Sequence, residues 1–247
     1  LMIPKIIHYC WFGGKEKPQK IANFVKSFDK LKKDGYQIIE WNENNFDVYR
    51  NSYLSKAYNN KKWAHVSDFV RLDVLENYGG IYLDTDVEIV KNFDSLLYLD
   101  LFIGFMWDCN LGTAVIGASK GNEHIKAMKN FYLQGEISFN SPNNDLLTRY
   151  FLDKFDDFKL NGKEQVLDER IKIFEKNVFE HPSLFKSKNY TIHHFTQSWK
   201  SNGKIKTIIK RIVVSVIGLY FYRKYICRKS LSVSPFFSKY KQDINSK

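Results

Sequence analysis

Tyr78-Gly79-Gly80-Ile81-Tyr82-Leu83-Asp84-Thr85-Asp86 joins a glycine pair, three apolar residues and two carboxylates in one short run. The glycines close a helix predicted over 61–78, at the C-cap position where a backbone without Cβ is favoured. Ile81 to Leu83 then read as a buried strand that ends in Asp84 and Asp86. Side chains at i and i+2 of an extended chain share a face, so both carboxylates can converge on one divalent cation. Hard oxygen ligands suit Mg²⁺ or Mn²⁺. The end of a sheet strand is also where open α/β folds place ligands. A pair of solvated turn aspartates is the alternative reading.

Upstream, the 61–78 helix carries Ser67-Asp68-Phe69-Val70-Arg71, in which Asp68 and Arg71 stand at i, i+3 and face the same way. As a surface ion pair they would contribute only ~0.2–0.5 kcal/mol. Further out, 5–11 reads as a strand stopped by Gly13-Gly14, a helix follows Pro18 to about 33, and 36–41 is a second strand. The Asn-rich 42–52 reads as a loop. Downstream, strands are predicted over 87–90, 101–106 and 113–118, and helices over 122–133 and 141–155. Two weaker strands are expected near 171–174 and 190–195. This alternation predicts an α/β sandwich with a largely parallel sheet.

The whole chain has 247 residues, 44% hydrophobic, with 13 Gly, 5 Pro and 3 Cys, which excludes disordered, collagen-like and disulfide-scaffold classes. Cys10, Cys109 and Cys227 are odd in number and far apart, without zinc or disulfide spacing. No apolar run behind a basic start opens the N-terminus, so a reducing cytosol is expected. The charge is uneven. Residues 203–247 hold eleven Lys and Arg against one acid, Asp243, whereas 1–202 hold 27 basic and 26 acidic side chains. A nucleic-acid binder would more often spread its cations over a folded face, so no nucleic-acid partner is expected.

Asp-x-Asp after a strand also occurs in HAD-type phosphatases, but there it ends the first strand and a hydroxyl follows two places on; here Val87-Glu88 follow Asp86. The blocks Ile3-Pro4-Lys5-Ile6-Ile7-His8-Tyr9-Cys10-Trp11-Phe12-Gly13-Gly14, Ser67-Asp68-Phe69-Val70-Arg71 and Tyr78 to Asp86, in this order and spacing, resemble the family 32 glycosyltransferases. The resemblance runs over about 3–200, with a last block at His193-His194-Phe195-Thr196-Gln197-Ser198-Trp199.

It implies a GT-A-like fold, a nucleotide-sugar donor, a divalent metal at the DXD and transfer with retention. By the family pattern Trp11 would stack on the base, although a core aromatic is the plain alternative. Asp68 and Arg71 would hold sugar and phosphate oxygens. Asp84 would meet the ribose and the metal's water shell, and Asp86 the metal itself. His193, with His194 as alternative, would complete the metal shell, and Ser198 and Trp199 would close over the diphosphate. Neighbours on a strand face opposite ways, so only one histidine should reach the site. Asn110 and the 142–145 segment are candidates to face the sugar, or are ordinary turn and capping residues.

Residues 203–230 carry eight Lys and Arg and no acid, around an apolar run at 212–222 too short to span a bilayer. Ile205, Ile208, Ile209, Ile212, Val216, Leu219 and Tyr220 follow helical spacing. The expected organisation is therefore a GT-A-like catalytic domain, 1–202, and a basic amphipathic segment, 203–247, associated with an anionic membrane at the inner face of the cell membrane. A terminal helix docked on the body or on a second subunit is the alternative. The expected acceptor is a glycan, or a lipid-linked glycan, in surface polysaccharide synthesis. The competing function is a non-catalytic membrane or nucleic-acid binding protein.

Overall fold

The computed structural model describes residues 2–135, 139, 143–196 and 204–246. A seven-stranded sheet forms the centre, in the order β2 (Gln37–Trp41), β1 (Ile6–Cys10), β3 (Gly80–Leu83), β6 (Asn110–Ala118), β5 (Leu101–Trp107), β8 (Ile171–Phe174) and β7 (Gln165–Asp168). β1 pairs parallel with β2 and β3, and β5 parallel with β8; β6 runs antiparallel to both its neighbours and β7 antiparallel to β8. Five strands thus point one way, with β6 and β7 opposed. β4 (Val87–Ile89) leaves the main sheet and pairs antiparallel with β9 (Thr191–His193), Val87 level with His193.

The strands alternate between two cores. Ile7, Tyr9, Ile81, Leu83 and Phe102 face a core closed by Phe28 from α1 (Gln19–Phe28). Cys10, Tyr82, Leu101 and Ile103 face a larger one, filled from α3 (Trp63–Tyr78), α4 (Glu123–Leu133) and α5 (Asn143–Lys154). Burial on both faces explains why β3 and β6 contain only buried residues instead of a polar alternation.

The glycine pair has a specific task. Gly79 (φ 67) and Gly80 (φ 111) lie in left-handed backbone, and a Cβ on Gly80 would stand 2.5 Å from the Ile6 carbonyl and 2.9 Å from His8 Nε2. His8 is fully buried there, between Trp41 Nε1–H, which donates to its Nδ1 at 3.0 Å, and the Gly79 carbonyl, 2.8 Å from its Nε2. The Trp41 donor fixes the tautomer, with the proton on Nε2. Burial pushes His8 down to about 4, so the imidazole is neutral. His8 therefore clips β1, β2 and β3 together just below the site.

Among the helices that escaped the sequence reading, α2 (Ser52–Asn59) begins inside the Asn-rich run read as a loop. Asn51 is its N-cap, and its side chain accepts from Leu54 N at 2.9 Å.

The C-terminal segment is helical over Lys204–Ser232 (α7), broken at Gly218, and again over Phe237–Asn245 (α8); α6 (Lys176–Phe179) precedes it. Beyond 220 it packs on the body. Phe236 enters the larger core, Arg223 and Cys227 are buried, and Asp243 accepts Leu160 N at 2.8 Å. No helix among the described residues is long and apolar enough to cross a membrane.

Candidate active site

Register places the ends of β1 and β3 side by side. His8 is level with Tyr82, so Trp11 and Asp84 emerge at the same carboxyl edge. Beyond that edge, Asp84, Asp86 and His193 each offer a ligand atom, all within 4.8 Å of one another. The two carboxylates fit Mg²⁺ or Mn²⁺ in donor type, whereas an imidazole is the more usual ligand of later transition metals.

His193 reaches this group because β9 pairs with β4, carrying it opposite Val87. Its Nε2 lies 3.1 Å from Asp86 Oδ1, and its Nδ1 lies 2.6 Å from Glu180 Oε2. Burial opposes charge on the imidazole, yet Asp86 and Glu180 together raise it to about 10. For Asp86 burial works upward, but His193 and two hydrogen bonds from Thr196 hold its carboxyl well below the usual range. Those bonds come from Thr196 N at 2.6 Å and Thr196 Oγ1 at 2.9 Å, both to Oδ2. Phe195 makes the turn that brings Thr196 back. It adopts φ 48, unusual for a bulky residue, and is held between the His193 ring at 3.9 Å and the Arg223 guanidinium at 4.2 Å.

His194 points the other way. Its Nε2 is 2.8 Å from Glu88 Oε2 and its ring stacks on Phe24 at 4.2 Å, so it is outside the ligand group.

Beneath the carboxylates lies Arg71, 4% exposed. Its Nη2 is 3.0 Å from Asp68 Oδ1 and 3.3 Å from Asp84 Oδ1, its Nη1 donates to the Thr113 carbonyl at 2.7 Å, and its Nε donates to Ser67 O at 3.3 Å. The guanidinium also covers the Tyr82 ring at 4.6 Å, while Tyr82 OH donates to Asp84 Oδ1 at 3.0 Å. The i, i+3 pair of the sequence is thus a buried brace that sets the angle of Asp84.

The start of α5 closes the far wall. Asn143 Nδ2 donates to Asp68 Oδ1 at 2.9 Å, Asn144 Nδ2 to Leu111 O at 2.8 Å, and Asn110 Nδ2 to Asp145 Oδ1 at 3.0 Å. Trp11 is half-buried at the edge; its Nε1 donates to Lys15 O at 2.6 Å, and Lys17 Nζ stands 5.6 Å from its ring. Ser198 and Trp199 lie outside the described residues.

Glu180 and Thr196 escaped the sequence reading. Glu180 is 2% exposed and fits only because Gly112 has no side chain: a Cβ there would collide with its carboxylate. Nothing in the neighbourhood of Glu180 in sequence signals this, since its partner lies on another element. Thr196 stood inside the quoted His193 to Trp199 block without an assigned task.

Residues 18–102 match the family model described as "Glycosyltransferase sugar-binding region containing DXD motif". Over those residues the chain is similar to the DXD-containing sugar-binding region of glycosyltransferases. Over 226 residues, 83% of this chain and 86% of the relative, it is 27% identical to "Uncharacterized glycosyltransferase L373" of Acanthamoeba polyphaga mimivirus. Over 131 residues it is 31% identical to "Inositol phosphoceramide mannosyltransferase 3" of Schizosaccharomyces pombe, which covers 50% of this chain and 35% of that protein. The chain therefore spans about a third of that relative's length. Among solved structures, "PaToxG Glycosyltransferase" superposes with a TM-score of 0.51 at 19% identity, over 63% of this chain and 70% of the other. That likeness is one of fold, and it makes the α/β sandwich GT-A-like.

Proposed function

We propose that this protein is a metal-dependent, retaining glycosyltransferase that moves a hexose from a nucleotide-sugar, a UDP-sugar, to a glycan acceptor. The observation that carries this reading is the convergence of Asp84, Asp86 and His193 at the carboxyl edge of β3, inside the DXD region. A divalent cation held by these three would neutralise the diphosphate leaving group. Around it, Arg71 holds Asp84 in place, Asp68 and the α5 asparagines face the sugar, and Trp11 stacks on the base. Ser198 and Trp199 close over the phosphates in the same reading.

The acceptor we propose is lipid-linked, in surface or capsular polysaccharide assembly. The protein would then work as a peripheral protein on the cytoplasmic face of the membrane, held through 203–230. Two observations support this extension: the excess of Lys and Arg in that segment, and a relative whose name specifies a lipid, inositol phosphoceramide.

Hydrolysis of UDP- and GDP-sugars by the purified chain, with Mn²⁺, with Mg²⁺ and with chelator, tests the reading. Cation-dependent release of UDP from one UDP-hexose is expected. Turnover of a GDP-sugar instead would change the donor and keep the reaction class, whereas no turnover of any donor would leave a binding protein.

A further inference from the structure

Away from the carboxylate site, a cavity of about 190 Å³ opens between the C-terminal helix and the body, lined by Asp108, Lys176, His181, Arg223, Lys224 and Arg228 among others. None of Asp84, Asp86 and His193 lines it. Four of the six named side chains are cationic and one is acidic. Lys176 is paired with Asp108, which leaves the exposed cations Lys224 and Arg228 at the cavity, with the buried Arg223 guanidinium behind them against Phe195.

Two buried atoms of this wall have no hydrogen-bond partner among the described residues: Arg223 Nε and His181 Nδ1. Both residues are deeply buried, Arg223 at 5% and His181 at 2% exposure. An orphan buried polar atom costs about 1–3 kcal/mol, so two in residues that line one cavity point to a group that satisfies them once these side chains turn towards it. They want different things. The Arg223 guanidinium donates through Nη2 to the His193 carbonyl at 3.2 Å and keeps a charged N–H for an anion. His181 Nε2 lies 2.7 Å from the Met106 carbonyl and, as donor there, leaves Nδ1 as a bare acceptor. Burial and the Arg223 charge push His181 down to about 3, in keeping with that neutral tautomer.

A ligand that fits is anionic and also carries an O–H: a protonated phosphate, or a phosphoester beside a hydroxyl. The volume lies below the roughly 300–1,000 Å³ of sites that enclose whole drug-sized ligands, and so suits one such group instead of a nucleotide-sugar. On the same helix, Phe221 (58% exposed) and Tyr225 (62% exposed) stand one turn apart beside Lys224 and Arg228. Apolar rings flanking cations are the arrangement of a surface that meets phosphate-bearing amphiphiles.

We propose that this cavity is a phosphoryl-binding site, separate from the donor site, that takes the phosphate of a soluble phosphoester or of a lipid head group. It goes beyond the transferase reading and does not rest on it, because binding needs neither metal nor donor.

The test is titration of the full chain, without metal or donor, with inorganic phosphate and glycerol phosphate, read by the Arg Nε–H resonances and by Tm. Sedimentation with phosphatidylcholine vesicles, with and without phosphatidic acid, runs beside it. A saturable shift of one buried Arg Nε–H is expected, weakened at least tenfold in the surface double variant Lys224→Gln/Arg228→Gln and absent in Arg223→Gln. Asp86→Asn should bind phosphate as the wild type does. Response to soluble phosphate alone identifies a soluble ligand, and phosphatidic acid-dependent sedimentation sensitive to the double variant identifies a lipid head group; either supports the site. No saturable response with either probe, equal affinity in the double variant, or loss of binding in Asp86→Asn would overturn it.

Discussion

Arg71 and Asp68 show how burial changes the meaning of a spacing. On an exposed helix the pair would matter by a few tenths of a kcal/mol; at 5% and 13% side-chain exposure, with Asp84 on the same guanidinium, it is a brace. Arg71→Met would leave two carboxylates without their cation, and is expected to cost about 3–5 kcal/mol in chemical denaturation. A loss under 1 kcal/mol would mean that water or a rearranged side chain replaces it. Asp86→Asn is expected to lower cation-dependent donor turnover by about a hundredfold or more. It should also lower Tm modestly, since His193 keeps Glu180 but loses half of its negative surroundings. Wild-type turnover in that variant would return Asp86 to a structural task. The carboxylates were legible as a local Asp-x-Asp, although a turn closed by Val87 N donating to the Asp84 carbonyl at 3.1 Å, and not an extended chain, brings them together. Glu180 was not, because its contact with His193 depends on a glycine in β6, far from it in the chain.

At the scale of elements, β1, α3, β3 and the strands near 101–106 and 113–118 were readable, but not the antiparallel pairing of the last two, in which β6 begins already at Asn110. β7 and α6 were not: each is four residues long, and neither carries the glycine stop that marks β3, which is equally short. The C-terminal helices carry a further lesson. Their sequence is that of a basic amphipathic segment, and charge counting cannot distinguish an amphipathic face that meets lipid from one that meets protein. Phe236 and Asp243 settle on the body through Leu160 and the larger core. Phe236→Ala is accordingly expected to cost about 3 kcal/mol or more, as for other buried aromatics, in a denaturant titration. Removal of everything after 202 should lower Tm by several degrees. An unchanged Tm on truncation would show that the segment adds nothing to the fold of the body.

The molecule as a whole should be acid-sensitive, and His8 gives the sign. Its folded value, about 4, is below the ordinary 6.5, so the unfolded chain binds the extra proton between these values. The stability His8 contributes is complete above pH 6.5 and is lost as pH falls towards 4, by an amount on the order of 3 kcal/mol. His193 has the opposite sign: raised to about 10, its contribution is constant below 6.5 and declines only on the alkaline side. Guanidinium unfolding at pH 7, 5.5 and 4.5 should follow this slope. His8→Gln, whose amide can still bridge Trp41 and Gly79, should make it shallower, leaving the part of the same sign that buried His181 contributes. An unaltered slope in the variant would move the acid sensitivity to another group.

The separate small sheet of β4 and β9 has a consequence for kinship. Thr196 and Asp86 are 110 positions apart, and His193 lies far outside the 18–102 region by which the family is recognised. That region therefore hands down two carboxylates but neither the imidazole nor the threonine that complete their surroundings. A chain that matches over this region alone need not carry the histidine and the threonine that flank Asp86 here.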